Sequence, residues 1–201
     1  MVTPVRVKML AQHGLWSRLL DEVLRNGRDV PLKLRLRLTE EGAEAEVAAG
    51  LALTRLAELA RPGDRHVGAA IELLVGRQRS DGGFGKGTAG SVVGTGCALA
   101  GLLGVCEGAG FGAMPGWSTA WPAACGAGAR LASLLEHADP EERTLVAWVL
   151  APRAVVAARL GVDVGALLDG LDRSGASFDR VLGPMLNRVR AVLGVTPAAA
   201  A

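Results

Sequence analysis

The stretch "GRQRSDGGFGKG", Gly76 to Gly87, decides how this chain is read, because it closes one helical pattern and opens a turn. Just before it, Val67, Ala70, Ile71 and Leu74 recur at i, i+3, i+4 and i+7, the spacing that puts apolar side chains on one face of a helix. Gln78 stands at the end of that pattern, Asp81 follows, and Gly82, Gly83 and Gly85 surround Phe84. Each residue type has a physical reason. A Gln at a helix end reaches the exposed backbone of the next turn, glycines adopt positive φ without strain, and an aromatic ring covers the helix end. Asp81 is read as the cap of the turn.

The neighbouring segments complete a helical hairpin and more. Thr39 is a plausible N-cap for an Ala/Leu-rich helix over Glu40 to Ala60, which Arg61-Pro62-Gly63 ends. Asp64 caps the second helix, and after the turn a third helix is expected from about Ser91 to Cys106. The segment "TAWPAACGAGARLASLLEHA" adds another on its Ala/Leu composition.

The succession "AAGLALTRLAELARPGDRHVGAAIELLVGRQRSDGGFG" and then "GTGCALAGLLG" resembles the repeat of the squalene/terpenoid cyclases and protein prenyltransferase β-subunits. In that repeat a helix ends in Gln, the turn reads Asp-Gly-Gly-aromatic-Gly, and a helix of small residues follows. Gln78, Asp81, Gly82, Gly83, Phe84 and Gly85 occupy those places, and the likeness spans residues from about 45 to 106. The resemblance implies an α/α toroid of paired helices around an apolar cavity, with a hydrophobic, isoprenoid-like ligand. Such a ring needs about a dozen helices, more than this chain supplies. The expected fold is therefore mainly α: antiparallel helical hairpins of a partial or degenerate toroid, completed by a second copy or a partner protein.

The family's catalytic motifs do not carry over. No Asp-x-Asp-Asp or Asp-Asp-x-x-Asp run is present, and Asp169-Gly-Leu-Asp172 has the wrong spacing and lies outside the matching region. Where a prenyltransferase would hold zinc with Asp-x-Cys, the chain reads Thr95-Gly96-Cys97, without the carboxylate. Asp81 is the one carboxylate of the motif, and to act as an acid it would need a raised pKa in an apolar cavity. Cys97, Cys106, Cys125 and His137 match no compact zinc knuckle, so the thiols are read as small core residues and His137 as a solvated helix-end residue. In "GGFGKGT", Ser80 takes the first-glycine place of a phosphate loop and Gly87 follows Lys86, so that motif fails. No metal and no cofactor are expected.

Composition sets the outer bounds. The 201 residues are 50% apolar with three Phe, four Trp and no Tyr, so the core must be built of Ala, Leu and Val, which favours close-packed helices. A net charge of +2 argues against a nucleic-acid binder held by phosphate contacts. Lys8, Arg18, Asp21 and Glu22 interrupt any export signal, and the odd number of cysteines fits reduced thiols, so the expected location is cytoplasmic. Between Lys86 and Arg130 the only charge is Glu107, but the run is rich in Gly, Ala, Ser and Thr and has no aromatic anchor beside Lys86. That content argues against a membrane span.

The two ends differ from the middle. Residues 5–9 and 32–38 alternate apolar with basic residues, the signature of strands, and flank a helical pattern over His13 to Asn26. A basic strand-helix-strand segment is thus expected over 1–38, cyclase-like helical repeats over 39–137, a C-terminal helical segment over 138–194 and a flexible tail over 195–201. Asp139-Pro140-Glu141-Glu142 is a strong helix opening, and that helix is expected to end near Pro152. Ala157, Gly161, Val162 and Leu167 then fall as in a helix-turn-helix, whose second helix would aim Asp163 and Asp169 at DNA, against phosphate repulsion. A last helix is expected over Phe178 to Leu193.

Three functions remain open at this point. The first is a cyclase- or prenyltransferase-like protein that binds a hydrophobic ligand without a complete catalytic site of its own. The second is a non-catalytic helical-repeat interaction domain. The third is a helix-turn-helix regulator using residues 154–172, which the acidic face makes weakest.

Overall fold

Ser91 opens the helix around which the others are arranged. In the computed structural model the described residues are 46–47, 49–51, 53–54, 65–85, 90–108, 116–173 and 182–195. Among them run α1 (Arg65–Arg77), α2 (Val92–Glu107), α3 (Trp117–Leu135), α4 (Pro140–Leu150), a 3-10 turn (Ala151–Arg153), α5 (Ala154–Arg159), α6 (Val164–Arg173) and α7 (Leu182–Leu193). Residues 46–47, 49–51 and 53–54 are helical too, and no strand occurs among the described residues, so the mainly α class holds. The expected strands at 5–9 and 32–38, the helix between them, and the expected caps Thr39 and Asp64 lie outside the described residues.

The third expected helix is α2. Ser91 has extended backbone, and its Oγ accepts the Gly94 N–H at 3.0 Å, so it is a genuine N-cap. Every residue from 94 to 105 is buried. A helix without a polar face must be enclosed by other helices, and α2 is, with α3 on one side and α4 on another. The helical backbone at Gly50 also reaches it. Thr95, near the start of α2, and Arg130, near the end of α3, flank the same Gly83, so these two helices run antiparallel.

Small residues set the spacing. On α3 the buried positions Ala120, Ala123, Ala124, Ala127, Gly128, Leu131 and Leu135 follow the helical repeat and form one face. Pro122, in the second turn of α3, is exposed, as is Ser118, whose carbonyl it cannot pair. A Cβ on Gly128 would lie 2.6 Å from Cβ of Leu160, and a Cβ on Gly96 would lie 2.9 Å from a Val146 methyl. The helices thus approach closely because no side chain intervenes at these points.

The C-terminal helices follow their sequence signals. Asp139 Oδ1 accepts the Glu142 N–H at 2.9 Å, and Glu142 Oε2 accepts the Asp139 N–H at 3.2 Å, a complete capping box. The helix that it opens ends at Leu150, and Pro152 lies in the 3-10 turn that follows. Between α5 and α6, Gly161 has φ +90°, Gly161 N–H donates to the Ala158 carbonyl, and Val162 N–H donates to the Ala157 carbonyl. This is a Schellman turn, and Ala157 and buried Val162 close it with apolar contact. One expected position shifts: Leu168 is buried and Leu167 is only half-buried, because α6 turns Val164, Leu168 and Leu171 toward the core. In α7, Leu186 and Val189 are buried and Met185 and Leu193 half-buried; the expected start at Phe178 lies outside the described residues. No single helix among the described residues is long and apolar enough to cross a membrane.

Candidate functional site

The segment from Gln78 to Gly85 closes on itself before it meets anything else. Arg79 N–H donates to the Gly83 carbonyl at 3.0 Å and Gly82 N–H to the Arg79 carbonyl at 2.9 Å. Gly82 has φ +86°, and a Cβ there would stand 2.4 Å from the Gly126 carbonyl oxygen of α3. Only glycine satisfies both the conformation and the contact. Gln78 then ties the turn down. Its Nε2 donates to the Gly82 carbonyl at 2.9 Å, as a helix-end Gln is expected to, and also to the Ala123 carbonyl of α3 at 2.8 Å.

Phe84 is fully buried, and its backbone is held by α2. Its N–H donates to Thr95 Oγ1 at 3.0 Å, the Thr95 hydroxyl points back at the Phe84 carbonyl at 3.5 Å, and Ser91 N–H donates to the same carbonyl at 2.7 Å. The segment is therefore a clasp that joins α1, α2 and α3. In the sequence Thr95 marks the place where a zinc-binding carboxylate is missing; its bond to Phe84 is a feature of the structure alone. The available signal was that a Thr one turn beyond a Ser N-cap, in an otherwise apolar helix, needs a partner for its hydroxyl. Thr95→Val keeps the shape and removes the acceptor from a buried N–H, so it is expected to destabilise by about 1–3 kcal/mol. Urea unfolding checks this, and Thr95→Ser should lose less.

Asp81 is the polar edge of the clasp. Oδ1 accepts the Gly83 N–H at 3.0 Å and the Arg79 Nε–H at 3.2 Å, and Oδ2 lies 3.4 Å from Arg130 Nε. The Gly83 bond, followed by the Arg79 hydrogen bond and the charges of Arg79 and Arg130, holds the carboxyl below its ordinary pKa, with desolvation opposing them. An acid catalyst needs the reverse shift. A carboxylate whose pKa is lowered on folding stabilises the protein above its unfolded pKa, and that stabilisation is lost as pH falls through the folded value. Asp81→Asn is accordingly expected to melt below the parent chain at neutral pH, and the two melting curves should converge in acid. Parallel curves at every pH would remove the charge from the explanation.

The remaining candidates are dispersed. Cys97 is buried, and burial pushes its thiol up to about 12. Burial, with smaller contributions from Cys125 and Glu107, pushes Cys106 up to about 11. Thiols raised in this way are poor nucleophiles at neutral pH. All three cysteines are free, His137 is exposed just beyond α3, and no three His, Cys, Asp or Glu among the described residues gather into a metal-sized group. Lys86 of the phosphate-loop comparison lies outside the described residues.

The expected helix-turn-helix positions fall on α5, the turn at Gly161 and α6. Asp163 Oδ1 accepts the Ala166 N–H at 3.0 Å and caps α6, Asp172 bonds Arg190 of α7, and Asp169 is exposed. Asp163, Asp169 and Asp172 thus outnumber the one exposed cation of α6, Arg173; Asp163 caps the helix and Asp172 ties it to α7. No protein-family model, curated protein or solved structure matches the chain.

Proposed function

We propose that this chain is a non-catalytic helical-repeat protein that works by binding another protein or a second copy of itself. One observation carries the reading: the polar groups of the motif are engaged in the scaffold, Gln78 bonding α3, Asp81 closing the turn and pairing with Arg130 of α3, and the backbone of Phe84 bonding α2. The placement of α2 supports it as well, because a helix buried on every side occupies the middle of the described fold. The acidic excess at α6 disfavours duplex DNA as the partner.

A second reading is favoured by the clasp itself. It connects successive helices through Gln, Asp-Gly-Gly and an aromatic residue, as the cyclase-like repeat implies, and this supports a toroid-derived protein that receives a hydrophobic, isoprenoid-like ligand. Native mass spectrometry of the freshly purified chain separates the two. The interaction reading expects a dimer or a complex without added small mass. Retained lipid-sized mass would transfer the case to the ligand reading, and a ligand-free monomer at every concentration would count against both.

A further inference from the structure

We draw no further inference here: the strongest candidate, the uncharged outward face of α3 around the exposed Trp121 and Pro122, is an unpartnered apolar patch, and nothing in the structure shows what covers it.

Discussion

Phe84→Ala is expected to destabilise the chain by about 3–5 kcal/mol, the loss that follows removal of a fully buried aromatic ring. Phe84 heads the large side chains with no exposed surface, and it packs in the same apolar cluster as α1, α2 and α3. Its backbone bonds to Thr95 and Ser91 keep the site from collapsing inward, so the cavity should persist rather than close. Native stability is on the order of 5–15 kcal/mol, so a large share of it would go. In a chain of this length the melting temperature should fall by about 10 °C, at roughly 2–4 °C per kcal/mol. Thermal unfolding followed by circular dichroism reads this directly. A shift of only a degree or two would mean that Phe84 is not part of the core and that the clasp is a surface loop.

Gly50→Ala should have the next largest effect, by a different route. A Cβ on Gly50 would lie 2.1 Å from the Cys97 carbonyl oxygen and 2.4 Å from its carbon, where ordinary contact begins near 3.4 Å. From the other side, a Cβ on Gly101 would lie 2.5 Å from the Gly50 carbonyl oxygen. Both obstacles are backbone, so no rotamer change relieves them, and the two helices must separate along the whole contact. Overpacking typically costs about 1–3 kcal/mol and sometimes more, whereas the helix-propensity gain of Ala over Gly is about 1 kcal/mol. The clash therefore wins, with an expected net loss of about 2 kcal/mol or more. Gly170→Ala is the control. Nothing lies within 4 Å of its added Cβ, so the same substitution should stabilise α6 by about 0.5–1 kcal/mol. Equal effects at the two positions in urea unfolding would refute the close crossing at Gly50.

These two results would bear on function as well as on stability. The clasp and the glycine crossing both hold α2, so on the proposed interaction reading a partner's binding depends on both. Variants that remain folded but loosened should show weakened assembly in native mass spectra before they lose helical content.

Much of the scaffold was legible in the chain itself. Helical spacing, the helix start near Ser91 and the Asp139-Pro140-Glu141-Glu142 opening are local signals, because each depends on groups within a turn or two of one another. The structural role of Gln78 and Asp81 was readable for the same reason. Three features depended on distant partners. The second bond of Gln78 goes to Ala123, 45 residues away, and no spacing in the sequence announces it. Arg130 meets Asp81 only because α3 returns antiparallel to α2. Leu168 rather than Leu167 enters the core because the rotation of α6 is set by α4, against which it packs, and by the Asp172–Arg190 pair that ties it to α7. Sequence alone thus determined the helical character of the described residues, the Asp139 helix opening and the turn chemistry around Gln78 and Asp81, all products of short-range hydrogen bonding and apolar periodicity. Tertiary structure alone decided which glycines are contact points, what the clasp fastens and that α2 lies at the centre, because those follow from close packing between segments far apart in the chain.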